Sequence, residues 1–472
     1  VFTRGEITPA TIENSVNALR RFIRLLAEHG IEPHSGRLRV VATSAVREAT
    51  NRDTFIDRIY VATGLEIQVI EEAELSRYIY LGIQPFRDLA VFAGNADTLV
   101  VEVGGGSTEV LALHAGKVVF TQEHRLGALR LWQLRDAAGL SMRGRRDLME
   151  AHILRFTELL APGFAEGGRR AVQVLAMGGD ARFAASQLKP GWEAACVAAL
   201  PVSAVADVAE EVLAQSEDDL VRRHGLSYPE AETLGAALLT YVRLAEAFCQ
   251  KHLYVTTVSM RDGVLADMAG SPEADSVFTE QIINAALVLA ERYRVDMPHV
   301  RHVADACLLL YDALQEHHRL GPRDRLILRV AALLHESGMF VSTRSHHKHS
   351  MYLINNSDIF GLNTWDKQLA ALVARYHRRS HPLMTHEIYG TLSREHRLTV
   401  CKLAAILRVA DALDRSHSHQ VRIKQVQVRD SELLLMVTGL ADPTLERLAL
   451  EQKAGLLAEV YGLNVVLCPL VG

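Results

Sequence analysis

Hydrophobic and polar residues near the start of the chain follow helical and strand patterns in turn. Ile12, Val16 and Leu19 share one face of a predicted helix over residues 8–30, which begins with the capping pair Thr8-Pro9. Strands and helices are then predicted in the order strand 38–43, helix 51–63, strand 67–70 and helix 72–84. This alternation predicts α/β architecture.

Glycine bends follow two of the later predicted strands. The apolar strand 98–103 runs into Gly104-Gly105-Gly106, after which strands are predicted at 109–113 and 118–120. Strand 172–177 ends at Gly178-Gly179, and a helix begins near Ala181. The recurring strand and glycine bend suggest two loops that face one cleft.

The pattern changes to helices from about residue 273. Helical periodicity is found at 275–293, 299–316, 323–336, 348–355, 365–377 and 396–413. Mixed structure returns at the end, with strands at 421–428, 432–437 and 463–467 and a helix at 443–460. We predict four domains, which are residues 1–94, 95–272, 273–417 and 418–472.

Composition narrows the function classes. The 472 residues are 49% hydrophobic and 23% charged, enough for several domains with buried cores. The net charge of −5 argues against a protein that coats nucleic acid. Five scattered cysteines, an odd number, indicate free thiols and a cytoplasmic location. No apolar run of 18 residues occurs, so we predict no membrane role.

The first glycine bend has the residues of an anion site. Three successive glycines let backbone N–H groups approach an anion closely, and Ser107 and Thr108 add hydroxyl donors. Glu102 and Glu109 flank the bend with carboxylates suited to Mg²⁺. The alternative is a structural hairpin in which the glycines serve only the turn.

A hydroxyl pair and an arginine follow the first predicted strand. Thr43 and Ser44 stand at its end, and Arg47 follows within one helical turn, a combination that could grip a phosphate. The alternative is a helix cap at Ser44 with a surface Arg47, and these residues taken by themselves favour that cap.

Taken together, these motifs resemble the exopolyphosphatase/guanosine pentaphosphate phosphohydrolase (Ppx/GppA) family. The resemblance rests on segments in the order of the family, which are 42–49, 69–82, 104–109, 125–128, 178–182, 260–265, 333–338, 349–350 and 408–414. It therefore covers nearly the whole chain.

The resemblance implies an actin-like (ribonuclease H-like) two-lobed phosphatase core, then an all-α HD-like domain and a small α+β C-terminal domain. It implies a Mg²⁺-dependent hydrolase that releases terminal phosphate from polyphosphate or guanosine pentaphosphate, and a homodimer with no specific nucleic-acid partner. The implied roles divide the site residues into three groups. Phosphate would contact Thr43, Ser44, Arg47, Gly104, Gly105, Gly106, Ser107, Thr108, Gly178 and Gly179; Mg²⁺ would bind Glu102 and Glu109; and Glu74 and Glu109 would be catalytic.

The sequence departs from the family pattern at four places. It contains no Asp-Ile/Leu-Gly-Ser-Asn-Ser segment, the first phosphate loop of the family. Leu75 stands where the family has the water-orienting Glu, Glu102 where it has Asp, and Asp180 where it has a hydroxyl. An alternative function follows, a catalytically impaired member that binds polyphosphate or guanosine tetra/pentaphosphate as a sensor.

The helical domain contains a second candidate site. His302, His335-Glu336 and Asp411 resemble the metal set of HD phosphohydrolases, with Glu336 in place of an Asp. The alternative is that buried His and carboxylate groups satisfy one another. A polyanion path is also predicted, along His346-His347-Lys348-His349 with Arg375, His377, Arg378 and Arg379; the alternative is a solvated charged face.

Overall fold

The computed structural model describes residues 1–86, 97–134, 142–165, 172–270, 272–378, 380–439 and 442–470. The chain forms two compact units, Val1–Ser276 and Val277–Gly472. The predicted boundary between residues 94 and 95 lies outside the described residues, and so does Arg379 of the predicted polyanion path.

The first unit begins with helices around a two-stranded parallel sheet. Its elements are α1 (Pro9–Glu28), β1 (Val40–Ala42), α2 (Ser44–Arg47), α3 (Arg52–Thr63), β2 (Ile67–Val69) and α4 (Glu72–Ile83). Thr8 caps α1 by accepting a hydrogen bond from the Thr11 amide, and Gly64 ends α3 at φ 69°. All the elements predicted for this stretch are confirmed.

A six-stranded mixed sheet forms the rest of the core of the first unit. Its strands are β3 (Asp97–Val103), β4 (Thr108–His114), β5 (Lys117–His124), β6 (Val172–Met177), β7 (Val197–Pro201) and β8 (His252–Thr256). They are ordered β5-β4-β3-β6-β8-β7. Strand β3 pairs antiparallel with β4 and parallel with β6, so β3 and β6 reach the same edge of the sheet at Gly104 and Gly178.

Helices cover this sheet. They are α5 (Ala128–Gln133), α6 (Met142–Ala165), α7 (Gly179–Leu188), α8 (Val202–Ala214), α9 (Glu217–His224), α10 (Tyr228–Ala247) and α11 (Met260–Ala269). Helix α10 begins with a capping box between Ser227 and Glu230 and buries most of its residues against the sheet.

Close packing fixes α4 over the sheet. A Cβ on Gly263 of α11 would lie 1.8 Å from the Tyr78 carbonyl oxygen of α4, so only glycine permits this contact. On the sheet side, the hydroxyls of Ser76 and Thr121 are 2.6 Å apart in a buried hydrogen bond. The first turn of α4 is thereby placed near the end of β5.

The second unit is mainly helical, and the division between units falls within α12. Its helices are α12 (Pro272–Arg292), α13 (Met297–Ala313), α14 (Gln315–His318), α15 (Pro322–Leu334), α16 (His346–Asn355), α17 (Thr364–Arg375), α18 (Glu387–Thr391) and α19 (Arg394–Leu413). The predicted helices of this region are confirmed, whereas α18 was not predicted.

The end of the chain forms a three-stranded sheet with two helices. Strand β10 (Glu432–Thr438) lies between β9 (Arg422–Arg429), antiparallel, and β11 (Asn464–Pro469), parallel. The single helix predicted at 443–460 is wrong in one respect: it is two helices, α20 (Thr444–Lys453) and α21 (Gly455–Tyr461). The break falls at Ala454-Gly455, where glycine lowers helical stability.

The fold is thus an α/β core followed by a helical domain and a small mixed region. The finer assignments, actin-like for the core and HD-like for the helices, remain predictions. Among the described residues no helix has both the length and the apolar character needed to cross a membrane.

Candidate functional site

The glycine turn between β3 and β4 is held from one side by α5. The amides of Ala128 and Leu129 donate to the carbonyls of Gly104 and Gly105 at 2.8 and 3.0 Å. A Cβ on Gly127 would lie 2.3 Å from the Gly105 oxygen, so this approach requires glycine. The amides of Gly105 and Gly106 have no acceptor within the described part of the chain. The turn therefore presents backbone donors, as an anion site requires.

The segment that contains Thr43, Ser44 and Arg47, which was predicted to bind phosphate, lies beside this turn. A Cβ on Gly106 would lie 2.7 Å from the Ser44 hydroxyl oxygen, so the two segments are in close contact. Arg130 links them, because its Nε donates to the Gly106 carbonyl and its Nη2 contacts both carboxylate oxygens of Glu48 at 2.7 and 2.6 Å. The structure thus brings together Ser44 and Gly106, two residues predicted to bind phosphate.

Arg47 and Thr108, which were also predicted to bind phosphate, have hydrogen-bond partners within the protein. Arg47 donates to the Ile70 carbonyl at 3.1 Å and forms an ion pair with Glu123. The Thr108 hydroxyl donates to the Leu126 carbonyl, and Thr43 precedes α2 without a side-chain capping bond. Arg47 would have to leave Glu123, or share it, in order to contact phosphate.

Three glutamates form a row across adjacent strands next to the turn. Glu102 lies directly opposite Glu109, and Glu109 lies directly opposite Glu123, so all three side chains are on one face of the sheet. Glu109 is only 4% exposed. Oε2 of Glu102 and both carboxylate oxygens of Glu109 are buried with no hydrogen-bond partner among the described residues. We call Glu102, Glu109 and Glu123 the carboxylate row.

The environment of the carboxylate row disfavours the charged form of two of its glutamates. Burial raises the pKa of Glu102 to about 7, although Arg182 and Arg261 oppose the shift. Burial also raises the pKa of Glu109 well above its ordinary value, and the nearby Glu123 and Glu72 add to this effect. Buried, unpartnered carboxylate oxygens in a row are the ligands of a hard divalent cation, so the residues fit Mg²⁺.

The second glycine bend is tied to the first by Tyr241. Its buried hydroxyl donates to the Met177 carbonyl and accepts from the Val103 amide at 2.9 Å. Met177 directly precedes Gly178, and Val103 directly precedes Gly104. One side chain of α10 therefore fixes the ends of β6 and β3, and with them both glycine bends.

Cationic and anionic side chains meet at the second bend. Gly178 has φ 113° and precedes α7, while Gly179 has open space around it. Nη1 of Arg182 is buried without a hydrogen-bond partner in the described chain. Burial raises the pKa of Asp180 to about 6, with a further contribution from Glu230. Asp180 therefore stays mainly ionised at neutral pH and gains a proton only as the pH falls through about 6.

The structure gives the carboxylates of α4 other roles than the sequence predicted. Glu74 is part of a capping box: its oxygens accept from the Glu71 amide and from Gln68 Nε2, both at 3.0 Å. Leu75 is 5% exposed. Glu72 is exposed, and it is close enough to Glu109 to raise the pKa of that carboxyl. Glu72 was not predicted as a site residue, although it lies one helical turn before Leu75 and therefore on the same face of α4.

In the helical unit, the structure places a different histidine in the candidate metal set. Nε2 of His299 and Nε2 of His335 lie 3.7 and 3.9 Å from Oδ1 of Asp411. His302 instead contacts Arg422, with 2.6 Å between Nδ1 and Nη1, and burial lowers its pKa. The prediction of His302 is therefore wrong as a member of this cluster. His299 is three residues earlier on the same helix, a spacing that the sequence could not resolve.

Charge in this cluster is shared unevenly. Burial alone would lower the pKa of His299, but Asp411 and Asp414 outweigh it and raise the value to about 9. Burial lowers the pKa of His335, which keeps that imidazole neutral.

Two residues of the predicted polyanion path are buried together. The Nε2 atoms of His346 and His377 are 3.3 Å apart, so these two residues do not lie on a solvated face.

Two family models match this chain. The model of the Ppx/GppA phosphatase family matches residues 1–271, and that of Ppx/GppA phosphatase, domain III, matches residues 283–458. The chain belongs to the Ppx/GppA phosphatase family. This confirms the resemblance drawn from the motifs.

Curated proteins and solved structures are similar to the chain at low identity. The guanosine-5'-triphosphate,3'-diphosphate pyrophosphatase of Aeromonas hydrophila is 24% identical over 408 residues, covering 82% of this chain and 75% of the relative. The protein of that name from Photobacterium profundum is 24% identical over 493 residues, covering 96% and 87%. An exopolyphosphatase structure from Cytophaga hutchinsonii aligns with a TM-score of 0.49 and 23% identity, covering 57% of this chain and 84% of that one.

Proposed function

We propose that this protein is a Mg²⁺-dependent phosphohydrolase that releases the terminal phosphate from inorganic polyphosphate, guanosine pentaphosphate or both. The observation that carries the proposal is the carboxylate row beside the Gly104–Gly106 turn, with its buried and unpartnered oxygens. Membership of a phosphatase family and relatives named pyrophosphatases support it. Both substrates present a terminal phosphoanhydride, so the same turn serves either.

Glu102 and Glu109 would hold Mg²⁺. When bound, the ion supplies positive charge to the oxygens of the transferred phosphate. The fit rests on the three carboxylate oxygens that have no hydrogen-bond partner among the described residues. A cation there would also offset the burial and the like charges that together raise the pKa of Glu109.

The remaining groups of the site bind and orient the phosphate. The amides of Gly105 and Gly106 would donate to its oxygens, and Ser44 and Ser107 would add hydroxyl donors. Arg182 and Arg261, whose charges act on Glu102, would neutralise the substrate. Catalysis of this kind depends mainly on positioning and electrostatics, which these residues supply.

A carboxylate must still orient the attacking water, and we assign this role to Glu72. Glu74, the residue that the family motif indicates, has both oxygens in hydrogen bonds that cap α4. Glu72 lies one turn before Leu75, on the side of α4 that acts on Glu109. A carboxylate one turn earlier would thus replace the one missing at position 75.

A second candidate function is phosphate binding without hydrolysis. It is favoured by the buried Leu75 and by Arg47, which is paired with Glu123. In that case the protein would sense polyphosphate or guanosine tetra/pentaphosphate through the same turn. A cytoplasmic location and a homodimer remain predictions from the resemblance.

Colorimetric detection of released phosphate separates the two functions. The full chain should release phosphate from polyphosphate or guanosine pentaphosphate with Mg²⁺ present, and EDTA should stop the release. Calorimetric binding of either compound, without any phosphate release, would select the sensor. Neither binding nor release would refute both.

A further inference from the structure

Helix α5 holds three successive carbonyl groups of the glycine turn. The Gly104 carbonyl accepts from the Ala128 amide at 2.8 Å, and two further amides of α5 donate to the Gly105 carbonyl at 3.0 and 3.3 Å. The Gly106 carbonyl accepts from Nε of Arg130. The backbone of α5 therefore holds the first two carbonyls, whereas the third depends on a side chain.

The direction of these carbonyls fixes the direction of the amides that follow them. A trans peptide unit is planar, and its N–H points away from its C=O. The amides of Gly105, Gly106 and Ser107 therefore point away from the groups of α5 that hold the turn. These amides have no acceptor in the part of the chain that the structure describes.

The Ser107 amide does not make the bond that a tight turn usually gives it. In a four-residue turn, the amide of the last residue commonly donates to the carbonyl of the first. Here the Gly104 carbonyl accepts from the Ala128 amide, and the Gly104 amide donates to the Ser107 carbonyl at 2.8 Å. The Ser107 amide is thereby left for a ligand, and its direction depends on the carbonyl that Arg130 holds.

Arg130 is itself fixed by a second segment of the chain. Its Nη2 contacts both carboxylate oxygens of Glu48 at 2.7 and 2.6 Å, and its guanidinium lies 4.2 Å from the centroid of the Phe2 ring. The side chains of Arg130 and Glu48 are only 22% and 20% exposed. A guanidinium held at two of its nitrogens has little rotational freedom, so its Nε stays aimed at Gly106.

The Arg130–Glu48 pair also joins the surroundings of two sheets. Glu48 directly follows α2, beside the two-stranded sheet, whereas Leu131 of α5 packs in the core of the six-stranded sheet. The pair therefore fixes the distance between Ser44, at the start of α2, and the glycine turn. Both are groups that the proposed function assigns to phosphate.

We propose that Arg130 and Glu48 are positioning residues for phosphate binding. Glu48 fixes the Arg130 guanidinium, which holds the Gly106 carbonyl. The Ser107 amide is thereby aimed at the phosphate as a third backbone donor. Arg130 and Glu48 act through the turn and do not touch the phosphate themselves. This inference deepens the proposed function and rests on it, because the anion is the phosphate of that reaction.

Calorimetry with a methylene-bridged polyphosphate analogue, which cannot be hydrolysed, tests the proposal on the full chain with Mg²⁺ present. Arg130→Met should weaken binding by ~10-fold or more, because one aimed donor to an anion is lost. Glu48→Gln should weaken binding by a smaller factor, since Arg130 keeps its bond to the Gly106 carbonyl. Arg130→Lys should recover part of the affinity, because it retains a donor but not the planar fork.

Arg146 provides the matched control, because it is another arginine of the first unit whose guanidinium is held by one carboxylate at two nitrogens. Its Nη atoms both contact Glu210, and its side chain is 27% exposed. Arg146→Met should lower the melting temperature about as much as Arg130→Met and leave binding of the analogue unchanged. Equal affinities of these two variants would overturn the proposal.

A crystal structure of the Arg130→Met protein tests the positioning step directly. The peptide between Gly106 and Ser107 should rotate, so that the Ser107 amide no longer points away from α5. An unchanged peptide would overturn the proposal even where the protein binds phosphate. If the unaltered protein binds no analogue, the proposed function fails and this inference fails with it; if it binds and Arg130→Met binds equally well, this inference alone fails.

Discussion

The two units bury ionisable clusters that differ in the chemistry of their ligand atoms. The carboxylate row of the first unit offers oxygen alone and lies beside a backbone turn that presents N–H donors. The cluster of the second unit offers two imidazole nitrogens and one carboxylate oxygen. Both contain buried polar atoms with no hydrogen-bond partner among the described residues.

The difference lies in how each cluster is balanced when no metal is bound. In the carboxylate row, burial raises the pKa of Glu109 and the nearby Glu123 and Glu72 raise it further, so the row does not readily hold negative charge on its own. In the second cluster, Lys453 and the imidazoles already offset Asp411, so the cluster is close to neutral. The row therefore suits a reaction that brings in a cation, whereas the second cluster is already balanced by groups of the protein.

The largest effect is expected from Glu109→Gln, which removes a proposed metal ligand without changing its shape. Phosphate release should fall by at least ~100-fold, because the charge that holds Mg²⁺ is lost. Release is measured colorimetrically, with the exposed Glu13→Gln of α1 as control. Equal release by both variants would break the assigned distinction between the two clusters.

The next largest effect is expected on α4, where two variants distinguish the roles of Glu72 and Glu74. Glu72→Gln should lower kcat by ~100-fold, because a water-orienting base is lost. Glu74→Gln should leave kcat nearly unchanged, and Glu74→Ala should lower the free energy of unfolding by about 1 kcal/mol, because the helix cap loses its acceptor.

A double variant sharpens this comparison. Adding Leu75→Glu to Glu72→Gln returns a carboxylate to the same face of α4 one turn later, and part of the lost rate should return. A large loss of kcat in Glu74→Gln alone would instead support the assignment from the family motif.

Gly127→Ala tests the packing behind the glycine turn. The added Cβ would meet the Gly105 oxygen at 2.3 Å, so the turn or α5 must move. We expect a loss of about 1–3 kcal/mol in unfolding free energy, measured by chemical denaturation. Gly116→Ala, in the next hairpin, is a poor control because its φ is 74°; Gly36→Ala has open space and should have little effect on stability.

The smallest effect is expected from Tyr241→Phe. The hydroxyl joins Val103 to Met177, so its loss should cost about 1 kcal/mol and loosen both glycine bends. KM for the phosphate substrate should rise more than kcat falls. An unchanged KM with reduced stability would show that Tyr241 supports the core alone.

Several features of the fold could be predicted from sequence because local patterns determine them. The capping of α1, the stop at Gly64 and the glycine bends at 104 and 178 each depend on nearby residues. Between Ala181 and Gly270 the sequence pattern predicts few elements. Its helices and strands are confined by packing on the central sheet, which local spacing does not reveal.

The site residues that sequence missed are decided by tertiary contacts. His299 and His302 lie three residues apart on one helix, and only the positions of α15 and α19 determine which of them meets Asp411. The choice between Glu72 and Glu74 is also decided by contacts, because Glu74 is engaged by hydrogen bonds from Gln68 and from the Glu71 amide. Spacing alone gives no preference in either case.

The most direct test of the central claim locates the ion and the phosphate together. Crystals of the protein grown with Mn²⁺ and a non-hydrolysable polyphosphate analogue should show anomalous Mn²⁺ density between Glu102 and Glu109. The terminal phosphate should contact the amides of Gly105 and Gly106. Mn²⁺ and phosphate bound elsewhere, with the carboxylate row unchanged, would contradict the account.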